Sequence, residues 1–184
     1  TNKSNKDSLV SIEMIRSVLS TNNTSNVQAL VFDNPSSSNI DYVKKIANAD
    51  INMVKNIYSL QSNKEVIKYV YENKNAVGIV GINWLLQPSS DIASFASEVK
   101  VMAVENVKIK GDNTFVKPNQ SNIADDSYPL TRKLFLLNFQ GSDGLGMGFA
   151  SYLAGETGQR IILKSGLSPK RFPTREIAVS GKIK

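Results

Sequence analysis

Cysteine and histidine are both missing from this chain of 184 residues. Without thiolates or imidazoles the usual zinc sites cannot be built. Ser-His-Asp and Cys-His catalysis in their ordinary forms are excluded, and so is haem held by histidine or cysteine. Acid–base chemistry would fall to carboxylates, lysine or tyrosine. The lack of cysteine does not assign a redox compartment, because disulfide-free proteins occur in all of them. Long apolar runs are missing too. The longest, residues 76–86, is interrupted by Gly78, Gly81 and Asn83, well short of the roughly 18 residues that mark a membrane-spanning helix. No run of five lysines or arginines occurs, so a nucleic-acid partner is not expected. No signal peptide is legible. The chain opens at Thr1 on a polar stretch without methionine and reads as a processed or trimmed product.

Two patterns that suggest chemistry do not carry it. Gly144, Gly146 and Gly148 form G-x-G-x-G, but no Walker lysine follows at the required spacing. Asp125 and Asp126 are adjacent in sequence, which suits a solvated turn better than two converging acid–base groups. An enzyme, a metal site and a cofactor are therefore not expected. A transferase working through aspartate and lysine on a bound phosphate group is the enzymatic alternative.

What is present is ordinary globular material: 41% apolar and 21% charged residues, with a formal net charge of +6. The positive balance favours anionic partners. Its clearest cluster is Lys164, Lys170, Arg171 and Arg175.

Periodicity predicts alternating strands and helices through the first eighty residues. Ser11 caps a helix over residues 12–19, with Ile12, Ile15, Val18 and Leu19 on one face. Residues 27–32 read as a buried strand ended by Pro35. Ile40, Val43, Ile46 and Ala47 recur at helical spacing. Residues 52–60 hold a further strand. Ser62 and Glu65 form a capping box ahead of Val66, Ile67, Val70 and Tyr71. Residues 76–82, AVGIVGI, suit a strand covered on both faces, followed by Trp84 and a loop. Strands are expected at 99–104, near 114–116 and at 134–139. A helix runs through Phe149 and Leu153 to Gly155, and Thr157 caps another that stops before Gly166. This order predicts an α/β fold with a mixed, mostly parallel sheet flanked by helices.

The sharpest candidate site is the bend Ser36, Ser37, Ser38 and Asn39, between the strand and the next helix. A helix N-terminus offers unpaired amides and about half a positive charge. Short hydroxyls add donors, so the bend could cradle an oxyanion. Serines are also ordinary N-caps, and that simpler reading stands beside it. Asn34, Trp84 and Tyr128 are candidates for lining the same cleft.

Four segments, in order, carry a resemblance. They are VFDNPSSSN at 31–39, NAVGIVGI at 75–82, YPLTR at 128–132, and GQRIILKSGLSP at 158–169. Together they resemble the phosphate-binding subunit of ABC transporters, a type II extracytoplasmic solute-binding family, in its lipoprotein-like branch. The resemblance implies two α/β lobes closing on a ligand by hinge bending. Residues 1–128 would be the second lobe and 129–184 an incomplete return to the first, whose N-terminal part is missing. It also implies phosphate or a similar small oxyanion as ligand and a membrane permease as partner. The location would be the periplasm or cell envelope, with membrane contact only through a lipid anchor that this chain does not carry. The family's Ser-Gly-Thr loop maps onto Ser36, Ser37 and Ser38, or one residue later with Asn39 included, with serine where the family has glycine. The arginine four residues before that loop maps to Phe32, which removes a bidentate donor. A lone lobe is expected to bind weakly. The alternative reading is a binding-protein-like domain repurposed for sensing or adhesion.

Overall fold

The computed structural model describes residues 1–20, 25–48, 56–106 and 114–174. The chain divides into two compact units, Thr1–Arg132 and Lys133–Lys184.

The first unit is built around strand β2, Ala29–Phe32, whose four residues are all buried. Parallel neighbours flank it, β3 (Ile57–Ser59) on one side and β4 (Ala76–Ile79) on the other. Alternate β2 residues serve opposite faces, as the pleat requires. Leu30 and Phe32 join a core cluster with Ile15, Val18, Ile40 and Val43, from helices α1 (Ile12–Leu19) and α2 (Ser38–Ala47). Ala29 and Val31 join a second cluster with Val66 and Val70 of α3 (Asn63–Glu72). Helices on both faces explain why β2 reads as a continuous apolar run instead of an alternating one. A second sheet pairs β1 (Leu9–Val10) parallel to β5 (Ala103–Glu105), with β6 (Phe115–Val116) antiparallel at its edge. The mixed, mostly parallel α/β architecture expected from the sequence is present.

Local signals explain the helix ends. Ser11 accepts from the Met14 amide, and Asn48 ends α2 in the left-handed region at φ 49°. In α3, Ser62 accepts from the Glu65 amide. The Glu65 carboxylate, however, accepts from Gln61, one residue before the expected cap amide, at 2.8 Å. Gly78 is required where it stands: a Cβ there would lie 2.8 Å from Val66 Cγ1 and from Val70 Cγ2. Its absence lets α3 settle closely on the sheet.

Several expectations need correction. The strand expected at 76–82 ends at Ile79, because residues 83–86 turn into a short helix, α4 (Asn83–Leu86), that carries Trp84. Short helices α5 (Ala93–Ser97) and α6 (Gln120–Ala124) were not anticipated; at five residues each they hold too little periodicity to read. The strand expected at 99–104 is confined to β5. Tyr71 is exposed, resting edge-on against Phe95 with ring centroids 5.3 Å apart. Residues 52–55 and Arg175 lie outside the described residues.

The second unit contains α7 (Leu145–Ala154) and α8 (Glu156–Lys164). The cap of α8 is Gly155, not Thr157. Gly158 is buried, and a Cβ there would stand 2.5 Å from the Leu153 Cα, so only glycine lets the two helices meet so closely. Buried Gln159 donates to the Leu153 carbonyl at 2.7 Å and accepts from the Arg171 amide. Gly166, at φ 84°, closes α8 as expected: its amide bonds Leu163 and the next amide bonds Ile162. Residues 134–139 do not form a strand. A strand needs a neighbour for its main-chain groups, and among the described residues none of these six has one.

Candidate functional site

The serine-rich bend lies just past the C-terminal end of β2, the central strand of its sheet. That end of a parallel sheet is where ligands of open α/β folds bind. Asn34 shapes the bend. Its side-chain oxygen accepts from the Ser36 amide at 2.8 Å, and its carbonyl accepts from the Ser37 amide at 3.1 Å. Ser37 is the N-cap of α2, its hydroxyl accepting from the Asn39 amide at 3.2 Å. The Ile40 amide donates to the Ser37 carbonyl. These bonds fix the loop and consume three of its donors.

Donors remain. Ser36 and Ser38 are exposed. Among the described residues the Ser38 amide has no hydrogen-bond partner. The helix does begin where the sequence predicted, and its serine hydroxyls face solvent instead of apolar packing. Asp41, in the first turn, complements the helix dipole and also places one negative charge nearby.

Arg132 was missed by sequence reasoning. Its guanidinium donates through Nη1 to the Ser38 hydroxyl at 2.8 Å. The segment that carries it is fastened along α2. The Tyr42 hydroxyl donates to the Pro129 carbonyl at 2.7 Å, while Tyr128 and Leu130 pack against the larger core cluster. Burial pushes the Tyr128 phenol up to about 12, so it stays protonated. The signal was present, since the last residue of YPLTR is an arginine. Its proximity to Ser38 needs two segments 94 residues apart to meet, which no local pattern reveals.

The other candidates are placed as follows. Asn34 builds the bend. Tyr128 packs on the core two residues from the Leu130 anchor. Trp84 stands half-buried on α4, beyond the end of β4. At the base of the bend, Asp33 Oδ2 accepts from Asn63 at 2.9 Å, while its buried Oδ1 has no partner among the described residues. Among the described residues no group of acidic side chains could hold a metal ion, and no helix is long and apolar enough to cross a membrane.

Such an arrangement defines a class: an α/β domain that presents hydroxyl, amide and guanidinium donors at the C-terminal end of a parallel sheet. The chain belongs to the PBP superfamily, whose domain model matches residues 1–157. Two solved structures are similar. One is that of a candidate phosphate ABC transporter substrate-binding protein from Clostridium perfringens, solved with bound phosphate. It has a TM-score of 0.62 and 19% identity over 93% of this chain and 67% of that one. The other is a candidate phosphate-binding protein from Planctomyces limnophilus, with a TM-score of 0.57 and 14% identity over 92% of this chain and 63% of that one. The chain thus spans about two thirds of the length of either. No match is found among curated proteins.

Proposed function

We propose that this chain captures a small oxyanion, phosphate or a close relative, at the start of α2, as part of an extracytoplasmic solute-binding protein that serves an ABC permease. The observation that carries this reading is the Arg132 guanidinium held 2.8 Å from Ser38. It returns to the bend the fixed positive charge that Phe32 cannot supply. An oxyanion seated there would take the Ser38 amide, the Ser36 and Ser38 hydroxyls and one edge of the guanidinium. Charge-assisted bonds of this kind are about twice as strong as neutral ones. The descriptions of both similar structures refer to phosphate, which supports the ligand class. The role is binding and delivery without catalysis. The partner is a membrane permease, and the setting is the periplasm or cell envelope, with any lipid anchor lying outside these residues.

In the same reading, residues 1–128 and the short segment up to Arg132 form one lobe, and the residues that follow belong to the other. A single lobe supplies only part of an anion's hydrogen-bond shell, so these 184 residues should bind phosphate weakly. The test is a titration of the isotope-labelled chain with inorganic phosphate, followed by NMR. The expected result is saturable shifts at the amides of residues 36–39 and at the Arg132 Nε, with millimolar affinity. Arg132→Ala should weaken binding by about tenfold, corresponding to roughly 1.4 kcal/mol for an exposed charged hydrogen bond. Shifts confined to other residues, or identical titrations of Arg132→Ala and the parent chain, would sink the reading.

A further inference from the structure

We propose, resting on the oxyanion reading of the bend, that Tyr42 is the positioning residue of that site: its hydroxyl fixes the segment that carries Arg132, and so decides whether the guanidinium meets the bend.

Ser38 and Tyr42 stand four residues apart on α2, so they share one face of the helix. Side chains on a helix lean toward its N-terminus. Tyr42 is thereby turned toward the head of α2 from one turn, about 6 Å, below it. Along that face the helix meets residues 129–132 twice, with the two chains running in opposite directions. Arg132 Nη1 donates to the Ser38 hydroxyl at 2.8 Å, and the Tyr42 hydroxyl donates to the Pro129 carbonyl at 2.7 Å.

The two contacts differ in strength. Ser38 and Arg132 are exposed. An exposed arginine gives up much rotamer freedom when it is held still, and one hydrogen bond to a neutral hydroxyl offsets only part of that loss. Pro129 is buried and Tyr42 half-buried. Among the described residues the Pro129 carbonyl has no other partner. A carbonyl left without a donor away from water is costly. The inner bond is therefore the one that holds, and the outer one depends on it.

Apolar packing does not do the same work. Tyr128 and Leu130 press the segment onto the larger core cluster, but the drive to bury apolar surface is non-directional. A hydrogen bond has a direction, and this one fixes a single main-chain atom. Proline stiffens the point of attachment: its own φ is locked and the residue before it is pushed toward extended backbone. Arg132 leaves the chain three residues further on, at most roughly 10 Å away. A restraint at Pro129 thus limits where the arginine side chain begins. A hydroxyl that served only the fold would act on unfolding alone. A positioning hydroxyl acts on the affinity of the folded chain, and only while Arg132 is there to be positioned.

The experiment is a double-mutant cycle on the 184-residue chain, with inorganic phosphate as probe and NMR of the isotope-labelled protein as readout. Tyr42→Phe keeps the ring and removes the hydroxyl, and native amide shifts in α1 and β2 establish that it is folded. It should weaken phosphate binding roughly threefold or more, and by no more than Arg132→Ala does. In the Arg132→Ala background the same change should cost nothing further. Without phosphate, the heteronuclear NOE of the Arg132 Nε–H should report restricted motion in the parent chain and fast rotation in Tyr42→Phe. Equal affinity of Tyr42→Phe and the parent, with Arg132→Ala weakened, would overturn the positioning role and leave the site standing. So would an equal loss in both backgrounds, since the hydroxyl would then act without the arginine, or an Arg132 side chain already rotating freely in the parent chain. Failure of the site itself looks different: Arg132→Ala and the parent titrate alike, or the shifts lie at other residues, and the positioning role falls with it.

Discussion

The two units of this chain are apolar to a similar degree and treat that apolarity in opposite ways. Between Val10 and Val104 the first unit buries every hydrophobic residue of the core, with Phe32, Ile92, Val18, Val31 and Val66 fully enclosed. The described residues of the second unit bury no hydrophobic side chain; only Gly158, Gln159, Gly166 and Pro169 are covered there. Helix α1 and helix α7 make the contrast sharp. The first buries four of eight residues and the second none of ten. An apolar stretch becomes core only when a complementary surface reaches it. In the first unit β2 has α1 and α2 on one face and α3 on the other. In the second, residues 134–139 have no strand beside them among the described residues.

The contrast can be broken most directly by matched truncations. Phe32→Ala should cost the first unit ~3–5 kcal/mol, as for large aromatic cavities. Phe135→Ala should change its unfolding by less than about 0.5 kcal/mol, the usual range for surface sites. Denaturant titration of both variants decides the matter, and equal losses would erase the distinction between the units. Next in size, Gly78→Ala should cost ~1–3 kcal/mol by overpacking, because the new methyl meets both Val66 and Val70. Adding Val66→Ala should return part of that loss, since the two sites share one contact.

A smaller effect is expected at the helix caps. Ser62→Ala and Ser37→Ala should each cost about 1 kcal/mol, while Ser36→Ala, whose hydroxyl caps nothing, should be silent in the same thermal melt. The smallest effect is electrostatic. Asp91 accepts from Ser89 at 2.6 Å and from Lys64 at 2.9 Å, and these two bonds, the serine first, hold its carboxyl at about 2. A folded value below the unfolded one stabilises at pH above roughly 4 and is lost as pH falls toward 2. Carbon-detected NMR titration should show the depressed midpoint, and Ser89→Ala should raise it.

Much of the first unit was legible in the sequence because local signals agreed with the fold. Ser11 capped the helix it was expected to cap. Ile12, Ile15, Val18 and Leu19 were buried together, and β6 was found where a short strand had been suspected. The short helices α4 and α5 were hidden because one turn of helix has no period to detect. The strand expected at 134–139 failed for a different reason. Its residues have strand character, but strand pairing is a relation between segments, and composition cannot supply the neighbour. At the candidate site the serine bend and its helix were readable from Pro35, the serines and the spacing of Ile40, Val43 and Ala47. Arg132 was not, because its partner lies 94 residues away.

The sequence by itself determined which chemistry is ruled out, by omitting histidine and cysteine, and where helices α1, α2 and α3 of the first unit lie. Caps, glycines and apolar spacing act within a few residues, so they can be read along the chain. Tertiary structure alone decided which apolar faces became interior and which donor met Ser38. Burial and long-range hydrogen bonds depend on what approaches from elsewhere in the chain, and the guanidinium at the head of α2 exists as a feature only because residues 128–132 pack along that helix.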